Sequence, residues 1–374
     1  MFRLYAICFF LSPLFSLCGY GSEDVAKVSV SYKGGHLLGS GAVAAVYYGY
    51  EKGRPDRPCA LRITPHTLHA DLIRADLEGL ILQGAIPDHP NILKLLNLKC
   101  DPGEDIVSVF PFMSGGDLCR FMLKVGKVKR VVTDELACRC FRSWTKAVVF
   151  LHSQGITHRD IKPENILVGF YLDASSPDAI PAVETPHPDS LKLSDFGFAK
   201  RFTPGEKQTD FCGTFLYQAP EIYERRHYSE TVDVWSATVT FFVLKMQIFP
   251  FIVGGADFSV GKISEYSGYQ ASMSPQMQKF FEFVFSRYRL DPEYITAQRL
   301  MDTLDEYCPL PWATFDPPRE SPVRLPQRGI AIPSDRQSEL LSPASVGLPP
   351  ANSAKSRVPL LRRYVRKGGR ESWL

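Results

Sequence analysis

The sequence predicts an α+β fold in which a β-rich first part is followed by a larger, mainly helical second part. Between residues 28 and 62, short apolar runs alternate with glycine-bearing turns, which is the pattern of β-hairpins. Strand-like runs return at 92–99 and 105–112. From Asp117 onward the long apolar patterns have helical period, at 117–125, 134–154 and 232–247.

The remaining segments follow in order. Leu68, Leu72, Ile73, Leu77, Leu80 and Ile81 recur at helical spacing and predict a helix over 68–86. His152 ends the helix at 134–154, and Gly155 turns the chain out of it. Residues 169–190 hold Ser-Ser-Pro, Ile-Pro and Thr-Pro-His-Pro, which reads as a loop. Extra loop length costs little, so a tolerated surface insertion is expected there. From 314 to 374, Pro, Ser and Arg dominate and helical period is lost, the composition of a disordered tail. The tail ends in a basic stretch at 360–367, read as solvated.

At the other end, Met1-Phe2-Arg3 precedes an apolar run from Leu4 to Leu17, and small residues follow up to Gly21. Residues 1–21 have the layout of a secretory signal peptide and are too short for a membrane span. The chain is therefore expected to be cytoplasmic, or in the secretory pathway if that leader is cleaved, with no transmembrane span once mature. A net charge of +3 is too small to make nucleic acid or membrane the main partner. Nine cysteines form no Cys-x-x-Cys pair, and Cys138 and Cys140 are spaced too closely for zinc, so free thiols are expected.

The chemistry is concentrated in two segments. Residues 158–167 read His-Arg-Asp-Ile-Lys-Pro-Glu-Asn-Ile-Leu, and Asp195-Phe196-Gly197 begins thirty positions after Asn165. Phosphoryl transfer from ATP needs a carboxylate near the acceptor hydroxyl and side chains that hold Mg²⁺ on the phosphates. Asp160, Asn165 and Asp195 supply that set, since an amide and a carboxylate are hard oxygen ligands. Upstream, Gly39-Ser40-Gly41 opens a turn between two strand-like runs, where glycine lets backbone N–H groups approach phosphate.

These segments resemble the eukaryotic protein kinases, specifically their serine/threonine branch, from about Lys33 to about Trp312. The resemblance implies a bilobal fold: a protein kinase domain at 30–313, with a small β-rich N-lobe at 30–112 and a larger helical C-lobe at 116–313. It implies ATP and Mg²⁺ as cofactors. By the same resemblance Asp160 would be the catalytic base, Lys162 would steady the transferring phosphoryl group, and Asn165 and Asp195 would hold the metal. Gly39 and Gly41 would meet the phosphates. Val46, Ala60 and Leu167 would belong to the nucleotide-binding set, and Phe112 and Met113 to a hinge with Phe110 behind it. Asp117 matches a ribose-contacting carboxylate and also suits a helix N-cap.

Three positions depart from the family pattern, the mildest being Ala44 in place of a third glycine. Arg62 stands where the family has its ATP-gripping lysine, with Glu78 as the matching carboxylate, and the planar fork of arginine places its donors differently. Restoring lysine is therefore expected to raise the activity of a compromised enzyme. Asp291-Pro292-Glu293-Tyr294-Ile295-Thr296 lacks an arginine that in the family pairs with the counterpart of Glu221, so Arg287 or Arg289 is expected to stand in.

The activation segment, 198–218, looks most like that of the cyclic-nucleotide-dependent and other basophilic kinases. Asp210 replaces the phosphothreonine of those relatives and is expected to pair with Arg159. The function expected is a monomeric serine/threonine protein kinase. Glu164 and Asp117 make its groove acidic, so Arg or Lys is expected before the acceptor. The alternative is a pseudokinase scaffold, favoured by Arg62, by Ala44 in place of a third glycine, and by the arginine missing after Pro292. A small-molecule kinase fits less well, because Lys162 and the segment from Gly213 to Glu221 resemble a polypeptide platform.

Overall fold

The computed structural model describes residues 32–127, 132–169, 191–250 and 272–309. The leader expected at 1–21, nearly all of the 169–190 insertion and the tail from 314 lie outside the described residues.

The first part is a five-stranded antiparallel sheet in the order β1-β2-β3-β5-β4. Its strands are β1 (Tyr32–Ser40), β2 (Ala45–Glu51), β3 (Arg54–Thr64), β4 (Asn97–Lys99) and β5 (Ile106–Pro111). Side chains alternate across a strand. Ala45 and Tyr47 of β2, Cys59, Leu61 and Ile63 of β3, and Val109 of β5 therefore share one face and form a small core. Val46, Ala60 and Arg62 fall on the other face, which lines the cavity described below.

Helix α1 (Ala70–Ala85) follows β3. The run expected as a strand over 92–99 forms ladder only at Asn97–Lys99. Its beginning serves another purpose: Leu93 N–H donates to the Leu193 carbonyl at 2.9 Å, and Leu193 N–H donates to the Asn91 carbonyl at 2.8 Å. These bonds tie the sheet region to the strand that leads into Asp195.

The second part is helical. It contains α2 (Leu118–Lys127), α3 (Asp134–Ser153), α4 (Pro220–Tyr223), α5 (Val232–Met246), α6 (Pro275–Leu290) and α7 (Ala297–Tyr307). Thr133 caps α3 by accepting from Leu136 N–H at 3.2 Å. Helix α5 is buried along nearly its whole length, in keeping with its apolar residues on all sides. Phe141 of α3 stacks on Phe241 of α5 at 4.2 Å, and Phe280, Phe281 and Phe285 of α6 close around them. Truncating such a ring to alanine costs about 3–5 kcal/mol. The buried Lys245 ammonium is not left unpaired: it bonds Asp134 and the Val132 carbonyl, each at 2.7 Å. Among the described residues, no helix is long and apolar enough to cross a membrane.

Short strands carry the functional loops. β6 (Gly116–Asp117), β8 (Ile166–Val168) and β9 (Leu191–Leu193) form one sheet, and β7 (Ile156–Thr157) pairs with β10 (Lys200–Arg201).

The expectation that Arg287 or Arg289 partners Glu221 is corrected. The buried phenol of Tyr288, between those arginines, donates to Glu221 Oε1 at 2.5 Å, while Arg287 lies over the rings of Phe283 and Tyr294. A helix turns 100° per residue, so only the middle of the three faces inward. Burial pushes the Glu221 carboxyl up, more than the phenol lowers it. A carboxyl raised in the folded state stabilises below its unfolded pKa, and that contribution is lost as pH rises through the folded value. Tyr288→Phe removes the donor and is expected to cost about 1–3 kcal/mol, with the loss growing as pH rises. Urea unfolding at acidic and neutral pH reads both the size and the trend.

Candidate active site

Asp160, Asn165 and Asp195 converge because four local features hold their loops. Asp233, at the start of α5, accepts from the backbone N–H groups of His158 and Arg159, each at 2.7 Å. Arg159 and Asp195 hold φ of 68° and 62°, a region costly for residues with a Cβ and concentrated at functional sites. Ser194 N–H and hydroxyl both donate to the Asn165 carbonyl, at 2.8 and 3.0 Å, which binds the Asp195 segment to the Asp160 loop. Gly79 of α1 lets the helix approach the same segment: a Cβ there would lie 2.5 Å from the Phe196 carbonyl oxygen.

Asp160 is 4% exposed. Its Oδ1 accepts from Thr214 N–H at 2.8 Å and from the Thr214 hydroxyl at 2.6 Å, and its Oδ2 accepts from Lys162 at 2.8 Å. Lys162 also reaches the Thr214 hydroxyl at 2.7 Å. Burial acts to raise the Asp160 carboxyl, but the Lys162 ammonium and the Thr214 hydroxyl outweigh it and hold it below its ordinary value. The side-chain nitrogen of Asn165 donates to the Asp160 carbonyl at 2.8 Å and to its carboxylate at 3.0 Å. That leaves the amide oxygen as the group to meet a cation.

A cavity of about 480 Å³, within the range of small-ligand sites, opens between the sheet and the helical part. Its lining includes Gly39, Val46, Ala60, Arg62, Asp117, Asn165, Leu167 and Asp195, together with Phe110, Phe112 and Met113. Gly41 and Lys162 are not among the lining residues. Apolar walls at one end and the Asn165–Asp195 oxygens at the other suit a flat base and a magnesium-bound phosphate chain. Among the described residues, no three His, Cys, Asp or Glu side chains cluster as a closed metal cage. An open amide–carboxylate pair fits Mg²⁺, which keeps water and substrate phosphate oxygens in its shell.

The partner expected for Arg62 is corrected. Arg62 grips Asp76 through both arms of its fork, at 2.9 and 2.6 Å, and Thr64 donates to Asp76 at 2.7 Å. Glu78 is exposed, while Asp76 is buried. Residues two apart on a helix face nearly opposite ways, and Asp76 shares the inward face with Ile73, Leu77 and Leu80. Arginine reaches further than lysine and aspartate is shorter than glutamate, so the pair keeps roughly the family's span. Burial would lower the Arg62 pKa, but the Asp76 carboxylate more than offsets it. The helical phase of the apolar residues was the signal that could have found Asp76.

Asp117 does cap a helix: it accepts from Arg120 N–H at 2.7 Å. The Arg120 guanidinium also approaches the same carboxylate at 3.3 Å, as an i,i+3 neighbour at the start of α2.

Arg159 ties the activation segment down. It bonds Asp210 at 2.7 Å, the Phe198 carbonyl at 2.6 Å and the Tyr228 hydroxyl at 3.1 Å, and Lys200 joins Asp210 at 2.8 Å. Burial favours a raised Asp210 carboxyl, but Lys200 and Arg159 bring it below its ordinary value. Asp210→Ala removes a countercharge from the well-buried Arg159. Faster proteolysis within 198–218 and lower activity are expected. Unchanged cleavage and activity would contradict this role for Asp210.

The model of the protein kinase domain matches residues 32–294. The chain belongs to the protein kinase family. Its relatives place it on the serine/threonine branch. Serine/threonine-protein kinase ULK3 of Rattus norvegicus is 33% identical over 205 residues, 54% of this chain and 39% of that protein. Calcium/calmodulin-dependent protein kinase type IV of Homo sapiens is 33% identical over 215 residues, 57% of this chain and 40% of that protein. A probable myosin light chain kinase of Dictyostelium discoideum is 30% identical over 232 residues, 62% of this chain and 54% of that protein. The matches thus span about two-fifths to a half of these relatives' lengths.

Proposed function

We propose that this chain is a catalytically competent serine/threonine protein kinase, transferring the γ-phosphate of ATP to Ser or Thr hydroxyls of a polypeptide. The observation that carries this reading is the Asp160–Lys162–Thr214 cluster beside the Asn165–Asp195 oxygens, at one end of a nucleotide-sized cavity. Asn165 and Asp195 would hold Mg²⁺, which neutralises charge on the phosphates when bound. Val46, Ala60, Leu167 and the segment from Phe110 to Met113 line the cavity and would meet the base. Asp160, kept ionised by Lys162 and Thr214, orients the acceptor hydroxyl and takes its proton at a carboxylate oxygen. Lys162 is then placed to meet negative charge on the group being transferred.

The pseudokinase alternative rested on Arg62, on Ala44 and on the missing arginine. The buried Arg62–Asp76 fork and the Tyr288–Glu221 bond offset two of those three departures. The test uses the full chain, γ-labelled ATP with Mg²⁺ and a mixed Ser, Thr and Tyr peptide library. Label in phosphoserine and phosphothreonine is expected. No label above that of the Asp160→Asn variant would overturn the proposal.

A further inference from the structure

The sequence led to the expectation that Asp117 and Glu164 attract Arg or Lys from the substrate. The structure places a guanidinium of the chain itself at that position. Arg120, in the first turn of α2, donates its backbone N–H to Asp117 Oδ1 at 2.7 Å, and its Nε lies 3.3 Å from Asp117 Oδ2. Both carboxylate oxygens are therefore engaged. The far end of the same side chain crosses the cleft and donates from Nη2 to the Leu38 carbonyl of β1 at 3.1 Å. The side chain is held at both ends and does not simply extend into water.

Asp117 and Glu164 belong to one acidic neighbourhood. Both side chains line the same cavity, together with Arg120. Glu164 lies two residues from Lys162, next to the group that receives the acceptor hydroxyl. A basic side chain arriving with a substrate would be drawn to this cluster. Asp117 already has its cation in place, and a second guanidinium would meet the like charge of Arg120.

We propose that Arg120 is a specificity-determining residue: it fills, from within the chain, the cationic position beside Asp117 and Glu164, so that the polypeptide substrate needs no Arg or Lys before the acceptor. This inference rests on the protein kinase reading and narrows its substrate class. It reverses the preference expected from the acidic residues alone.

The test uses two peptides that differ only in Ala or Arg at positions N-terminal to a single serine. For the parent chain, kcat/KM for the two is expected to agree within about threefold, and Arg120→Ala is expected to shift the ratio toward the Arg peptide by about tenfold or more, through KM. Arg120→Lys, which keeps the charge, is expected to hold the ratio near the parent's. The gain in Arg120→Ala is expected to shrink as salt rises, since the site is partly exposed. A parent that already favours the Arg peptide about tenfold, or an Arg120→Ala variant with the parent's ratio, overturns the proposal.

Fluorescence anisotropy with the same two peptides, labelled, reads the selectivity independently of phosphate transfer. Equal preference in parent and variant there also overturns the role of Arg120. Selective binding without transfer to either peptide would instead count against the kinase reading and leave the role of Arg120 supported.

Discussion

Asp160→Asn is expected to lower kcat for peptide phosphorylation by about 10²–10⁴-fold while changing magnesium-ATP affinity by less than about threefold. The amide keeps the shape of the side chain but loses the charge that accepts a proton. It also unsettles the surrounding bonds, because Thr214 and Lys162 both donate to Asp160. Cavity-lining contacts to the base and phosphates come from other residues, so binding should survive. Isothermal titration of ATP with Mg²⁺, beside steady-state kinetics, separates the two effects. Loss of ATP binding together with activity would instead mean that Asp160 chiefly holds the site together.

The second large effect concerns Arg62. Arg62→Ala leaves the Asp76 carboxylate, with 5% of its side chain exposed, facing only the Thr64 hydroxyl. Removing one partner of a buried ion pair costs about 3–5 kcal/mol. Part of that cost can be relieved by movement of α1, which would shift Gly79 away from Phe196 and disturb the Asp195 segment. Arg62→Lys is expected to lower kcat/KM by about 10–100-fold, since a single ammonium cannot reproduce the fork and displacements of about 1 Å carry losses of that order. This reverses the gain expected from the family pattern, and it follows from Asp76 in place of Glu78. Thermal unfolding and kinetics on the same preparations show how much of the loss is stability.

Much of this molecule was legible in its sequence. The hairpins, the long helices and the order of the phosphate loop, Asp160, Asn165 and Asp195 are local patterns, and local patterns are what a sequence displays. The failures share a cause: each concerns which side chains meet across distant segments. Asp76 and Glu78 are both acidic and both on α1, and only helical phase separates them. Tyr288 carries no charge, so a charge pattern points to its arginine neighbours, although a buried carboxylate can be satisfied by a phenol. The bond from Arg120 to the Leu38 carbonyl joins residues 82 apart in the chain, so no local pattern marks it. The strand expected over 92–99 was shortened because its first residues pair with the segment before Asp195.

Arg62 and Asp76 together are expected to replace the lysine–glutamate pair and preserve a working site. Peptide-phosphorylation kcat/KM of the parent, Arg62→Lys, Asp76→Glu and the double variant tests this directly. Each single change is expected to lose about tenfold or more, and the double variant to return within about threefold of the parent. An Arg62→Lys variant more active than the parent, or a double variant whose loss is the product of the two single losses, would contradict it.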